Sequence, residues 1–165
     1  MIENDYRLIW RLLRRLGVPP HGVDDAVQQV FLIAAERLDD IRENSERAFA
    51  FGTALRVAQT LRRRSAREQM GAEADRNASP LPSPEELADQ HRAREVLGRV
   101  LDGMPFELRT VFVLFELEGL SSPQIAELEN LPLGTVASRL RRARARFQEL
   151  VAHETGRRLA LGEGP

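Results

Sequence analysis

A chain of 165 residues with 42% hydrophobic content is long enough for one medium domain or two small ones with real cores. It has no cysteine, which excludes a disulfide framework, a cysteine zinc site and a thiol nucleophile. Its net charge of −1 withholds the cationic surplus expected of a free-standing, non-specific DNA binder, and its 24 basic residues, all arginine, fit a GC-rich coding bias without any functional reading.

Ile2, Tyr6, Ile9, Trp10, Leu13 and Leu16 recur at helical spacing, so residues 2–16 are expected to form a helix with these side chains inward. Gly17 and Pro19-Pro20 end it. A second helix is expected to open near Asp24-Asp25, whose carboxylates suit the positive end of a helix dipole, and to reach about Leu38. Val27, Val30, Phe31 and Ala34 form its buried stripe, while Asp25, Gln28, Gln29 and Leu32 leave another face available. After a polar connector over 41–45, a third helix spans 46–68 with Phe51, Ala54, Leu55, Ala58 and Leu61 inside, and Phe49 also reads as buried. Arg56, Thr60, Arg63 and Arg67 fall together on its outer side. That positive stripe suits a nucleic acid or, equally, the negative end of the helix's own dipole.

Residues 70–84 turn to Gly, Ala, Asn, Ser and alternating prolines without apolar periodicity, the pattern of a flexible or extended linker. Helices resume at Pro84-Glu85-Glu86 and run to about Leu101, with Leu87, Val96, Leu97, Val100 and Leu101 inward. Asp102-Gly103 breaks the run and Pro105 starts the next helix, whose Leu108, Val111, Phe112, Leu114 and Phe115 make it apolar almost all round and therefore central. Gly119 ends it. The fold class is all-α, with two small helical domains over 1–69 and 85–152, a linker over 70–84 and a frayed tail over 153–165.

Residues 120–150 carry the strongest signal. Ser121 is a good N-cap, Gln124 can close a capping box and Pro123 sits where a missing N–H costs little, so a short helix is expected over 122–129. Asn130-Leu131-Pro132 favours a turn. Val136, Leu140, Ala143, Phe147 and Leu150 then form an inward stripe. The other faces hold Thr135, Ser138, Arg139, Arg141, Arg142, Arg144 and Arg146, with no acid between Gly134 and Gln148. This is the layout of a helix-turn-helix, and the arginine fork suits phosphates or the major-groove edge of guanine. The plainer reading is a solvated basic face on an ordinary amphipathic helix. The capped short helix and three-residue break favour DNA.

Leu120-Ser121, Ile125-Ala126-Glu127 and the run Gly134-Thr135-Val136-Ala137-Ser138-Arg139-Leu140-Arg141-Arg142-Ala143-Arg144 resemble region 4 of extracytoplasmic-function (ECF) sigma factors of bacterial RNA polymerase. Asp24-Asp25-Ala26-Val27-Gln28-Gln29-Val30-Phe31 resembles region 2.2, and 47–67 is similar to regions 2.3 and 2.4. The resemblance implies sigma region 2-like and region 4-like domains that bind core RNA polymerase through its beta-prime clamp helices and beta flap, and that read promoter DNA. It points to Asp25, Gln28 and Phe31 for polymerase, with Phe31 equally suited to the core. For the minus-10 element it points to Asn44, Arg56, Thr60, Arg63 and Arg67, and for the minus-35 element to Thr135, Ser138, Arg139, Arg141 and Arg142. An anti-sigma factor is a further partner that the resemblance suggests. Relatives often carry tryptophan near Phe49, asparagine at Arg56, aspartate at Thr60 and a basic residue at Ala137, so this chain departs from the pattern there.

The alternative is a stand-alone helix-turn-helix regulator acting on duplex DNA without polymerase. An enzyme is the weakest reading. His21, His91 and His153 have no ligand or triad spacing, paired acids suit helix starts, and phosphate-cradling glycine loops are absent, so no metal or cofactor is expected. Without an N-terminal signal or an apolar run near 18 residues, a cytoplasmic protein with no membrane insertion is expected.

Overall fold

The computed structural model describes residues 2–37, 45–68 and 85–160, and the chain divides into two compact units, Met1–Pro80 and Leu81–Pro165. Among the described residues every regular element is helical. The expected linker, the connector at 41–44 and Asn44 lie outside them, as does the side chain of Leu87.

In the first unit, α1 (Ile2–Arg15), α2 (Pro20–Glu36) and α3 (Glu46–Glu68) each pack against the other two. Gly17, at φ 100°, closes α1: its N–H donates to the Arg14 carbonyl at 3.1 Å and the Val18 N–H to Leu13 at 3.0 Å. The core joins Ile9, Leu12, Leu13 and Leu16 to Val23, Ala26, Val27 and Val30, and to Phe51, Ala54, Leu55 and Ala58. Two expectations for α1 fail. Tyr6 and Trp10 are not inward; they stay 36% and 37% exposed, and Leu12 takes the buried place. Tyr6 Oη and Trp10 Nε1 donate to one oxygen of Asp24, at 2.8 and 3.0 Å. An aromatic ring with a polar handle satisfies helical periodicity yet settles where the handle finds a partner. The bond to Asp24 also raises the Tyr6 phenol above its usual pKa.

Asp24-Asp25 does not open α2. The helix begins four residues earlier at Pro20, because proline at the first helical position has its φ preset and no N–H to satisfy there. Ala34 and Phe31 are only half-buried, and Phe31 lies parallel to Tyr6 with centroids 6.5 Å apart. Phe51 is buried as expected, whereas Phe49 is half-buried.

The second unit is built around its last helix. Here α4 (Glu85–Asp102), α5 (Phe106–Phe112) and α6 (Ser122–Glu129) all contact α7 (Leu133–Ala160). A π-helical turn, Val113–Leu117, extends α5, and Gly119 at φ 74° ends it. Val111, Phe112 and Leu114 are buried as the sequence implied, and Val113 with them, but Leu108 is half-buried and Phe115 is half-exposed under the Arg144 guanidinium, 5.2 Å from its ring centroid. Val136, Leu140 and Ala143 of α7 are buried, and Phe147 stacks on Phe112 at 4.5 Å. The expected frayed tail is helical through Ala160. Glu154 accepts hydrogen bonds from Arg99 Nε of α4 at 3.0 Å and Arg157 Nη2 at 3.1 Å, which ties the last turns of α7 to α4. Burial would raise the Glu154 carboxyl, but these two arginines hold it below its usual value.

The turn between α6 and α7 has the chemistry its sequence specified. Ser121 Oγ accepts from the Gln124 N–H at 3.4 Å and Gln124 Oε1 accepts from the Ser121 N–H at 2.8 Å, a complete capping box. Asn130 closes α6 in the left-handed region at φ 52°, with the Leu131 N–H donating to the Ala126 carbonyl at 2.9 Å. Glu129, the last residue of α6, is half-buried, and its Oε1 is buried without a hydrogen-bond partner.

Removing the cap with Ser121→Ala is expected to lower stability by about 1 kcal/mol, read by denaturant unfolding. A second outcome concerns Glu129, whose carboxyl is raised by burial, an effect that Arg139 partly offsets. A carboxyl raised in the folded state favours the native protein while protonated, and that advantage is lost as pH rises through its titration. Glu129→Gln is therefore expected to raise Tm at pH 7, with the difference from wild type shrinking as pH falls toward about 4.

Candidate nucleic-acid interface

Thr135, Ser138, Arg139 and Arg142 follow an i, i+3, i+4, i+7 spacing and share one face of α7, turned away from the Val136, Leu140 and Ala143 stripe. The face opens right after the turn, where the Thr135 and Val136 N–H groups donate to the Pro132 carbonyl at 2.9 and 3.2 Å. Thr135 and Ser138 are half-buried, and Ser138 Oγ donates to the Thr135 carbonyl at 3.0 Å, leaving the hydroxyl oxygen as an acceptor.

The arginines of α7 divide into two groups. Arg144 Nε donates to Glu116 Oε1 at 2.6 Å, and Arg146 Nη1 to Glu149 Oε2 at 3.1 Å, so both are occupied by acids of the same unit. Arg141 and Arg142 are exposed, and Arg139 is half-buried with Glu129 as the acid its charge reaches. Of the five arginines from Arg139 to Arg146, Arg144 is engaged by Glu116 of the π turn and Arg146 by Glu149 of α7 itself, while Arg141 and Arg142 stay exposed. Leu133, the first residue of α7, is 52% exposed.

In the first unit, Arg56, Thr60 and Arg63 are exposed along α3, and the side chain of Arg67 lies outside the described residues. Thr60 Oγ1 donates to the Arg56 carbonyl at 2.9 Å, and Arg56 Nη2 approaches Thr53 Oγ1 at 3.4 Å. Arg56 and Thr60 border a groove of about 390 Å³ between α2 and α3, walled also by Gln29, Ile33, Glu36 and Phe49. Sequence reasoning missed this groove because its walls come from two helices separated by the connector. The half-buried ring of Phe49 was its one available signal.

On the neighbouring face of α2, Asp25 and Gln28 are exposed, Leu32 is 64% exposed, and half-buried Phe31 adjoins them. Among the described residues no group of three or more His, Cys, Asp or Glu side chains gathers as a metal site, and no helix is long and apolar enough to cross a membrane.

The family description "Sigma-70, region 4" matches residues 94–147 and "Sigma-70 region 2" matches residues 1–68. The ECF RNA polymerase sigma-E factor of Escherichia coli strain K12 is 36% identical over 140 residues, spanning 77% of this chain and 72% of that protein. The ECF RNA polymerase sigma factor SigE of Mycolicibacterium smegmatis is 28% identical over 147 residues, spanning 87% of this chain but only 57% of its own length. Among solved structures, that of CnrH in complex with the cytosolic domain of CnrY superposes with a TM-score of 0.64 at 27% identity, covering 88% of this chain and 80% of that one. Matched by region in both units and by a relative of more than 30% identity along most of both lengths, the chain belongs to the sigma-70 family of RNA polymerase sigma factors, in its ECF group.

Proposed function

We propose that this protein binds core RNA polymerase and directs it to promoters, with the second unit reading duplex minus-35 DNA and the first holding the minus-10 element. One observation carries the reading: a helix whose buried stripe forms the spine of its unit presents Thr135, Ser138, Arg139 and Arg142 together, with Arg141 beside them. A recognition helix in the major groove places such residues at base edges and phosphates, and the arginine fork makes the bidentate bonds that discriminate guanine. The net charge of −1 argues that these contacts work with a larger partner and not as a stand-alone regulator.

In the first unit the groove beside Arg56, Thr60 and Phe49 has a volume within the roughly 300–1,000 Å³ usual for ligand clefts. It suits a base taken out of the stack, with Phe49 as a stacking surface and Arg56 and Arg63 toward the strand's phosphates. Asn44 and Arg67 are assigned to the minus-10 element from the sequence alone. Asp25, Gln28 and Leu32 on the neighbouring face of α2 are assigned to the polymerase clamp helices, with Phe31 behind them supporting that surface. The polymerase itself supplies the catalysis, and the chain works beside it in the cytoplasm. A regulator that binds this chain as the cytosolic domain of CnrY binds CnrH would act as its anti-sigma factor.

Co-purification with core polymerase followed by run-off transcription tests the whole reading; tight promoter binding by the isolated chain with no polymerase requirement would overturn it. Arg142→Ala is expected to weaken the upstream element by about 1–3 kcal/mol, measured as holoenzyme affinity for duplexes differing at single upstream positions. Unchanged selectivity would remove Arg142 from the site. Gln28→Ala is expected to reduce recovery of core polymerase at constant helix content by circular dichroism, and full recovery would refute its assignment.

A further inference from the structure

Tyr6, Trp10 and Asp24 have no part in the assignments made so far, although the structure holds them in one geometry. Both rings turn outward from α1, 36% and 37% exposed, while the Tyr6 hydroxyl and the Trp10 indole N–H donate to Asp24 Oδ1 on α2 at 2.8 and 3.0 Å. Tyr6 also lies parallel to Phe31, with ring centroids 6.5 Å apart. Asp24 stands four residues before Gln28, and Gln28 four before Leu32, so the three occupy one row of α2, with Phe31 beside its far end. Tyr6 and Trp10 thus continue onto α1 the face of α2 that carries Gln28 and Leu32. Among the described residues the large apolar side chains left exposed are Tyr6, Trp10, Leu32 and Leu133, and the first three belong to this surface. One such side chain alone needs no explanation, whereas several on a continuous face mark a contact surface. The donors of both rings are already bonded to Asp24, so what they present outward is apolar and can be covered without stranding a polar group.

We propose that Tyr6 and Trp10 form a second docking element for core RNA polymerase, continuous with the face of α2, and that Asp24 is the positioning residue that holds both rings ready for it. The inference rests on the assignment of Gln28 and Leu32 to polymerase. Continuity decides the occupant: a partner seated along the row from Leu32 to Asp24 meets the two rings at the end of that row. Tryptophan and tyrosine offer large contact area with only two side-chain torsions each, and Asp24 fixes their polar ends before the partner arrives. Without that carboxylate the rings would have to be ordered on binding, and the freedom lost would weaken the affinity.

The test compares the free chain with holoenzyme reconstituted from core polymerase and the full chain, by hydroxyl-radical oxidation of side chains read by mass spectrometry. Trypsin cuts after Arg7 and Arg11 and so puts Tyr6 and Trp10 in separate peptides. Oxidation of both is expected to fall by about five-fold or more in holoenzyme, together with that of Phe31 and Leu32. In competition for core polymerase, Trp10→Ala is expected to lose about ten-fold or more in affinity. Asp24→Ala keeps both rings but frees them and is expected to lose about three-fold or more, whereas Asp24→Asn keeps an acceptor oxygen and should stay within about two-fold of wild type. The footprint uses the wild-type chain and so decides even where a variant fails to fold. Protection of Phe31 and Leu32 without protection of Tyr6 and Trp10 would overturn the proposal while leaving the α2 assignment intact. No protection of Phe31 and Leu32 would instead overturn that assignment, and the proposal with it. Asp24→Ala as tight as wild type, or Asp24→Asn as weak as Asp24→Ala, would overturn the role given to Asp24.

Discussion

The burial of Val136, Leu140 and Ala143, with half-buried Phe147 stacked on Phe112, is the constraint on which the second unit depends. With α4, α5 and α6 all packed on α7, this stripe fixes the rotation of α7 about its own axis. Each residue advances that rotation by about 100°, so fixing the inner stripe fixes the direction of Thr135, Ser138, Arg139 and Arg142 as well. A close-packed interior admits few rotations, and the recognition face is therefore set by the core rather than by the arginines themselves.

Electrostatics then works at the scale of single pairs. With 24 basic and 25 acidic residues, the chain has no net field to attract DNA, and what matters is which cations the protein leaves unoccupied. Glu116 and Glu149 occupy Arg144 and Arg146, and Arg99 and Arg157 are occupied by Glu154. Exposed pairs of this kind add little stability, but they narrow the surface available to a phosphate. The cationic patch is smaller and better directed than a count of arginines suggests.

How far the sequence disclosed this architecture depended on the range of the interaction responsible. The α6–α7 turn was legible because capping box, proline and left-handed asparagine act within a few residues of one another. The inner stripes of α3 and α7 were legible because they consist of side chains with no polar alternative. In α1 the same periodicity misled, since Tyr6 and Trp10 could turn outward to Asp24, a partner in another helix. Helix α7 continues through Ala160, where Glu154 meets Arg99, 55 positions away, a contact no local pattern encodes. For the site, the residues proposed for the minus-35 contact could be read together because one helix carries them all, whereas the groove between α2 and α3 needed a fold before it existed.

The first unit extends the logic of α7 to a helix with two duties. Val23, Ala26, Val27 and Val30 anchor α2, which leaves two neighbouring outward faces: Asp25, Gln28 and Leu32 on one, Gln29, Ile33 and Glu36 on the groove side. The first face is assigned to polymerase and the second to the melted strand. Residues one position apart on a helix point about 100° from each other, so Leu32 and Ile33 face different directions and one buried stripe orients both faces at once.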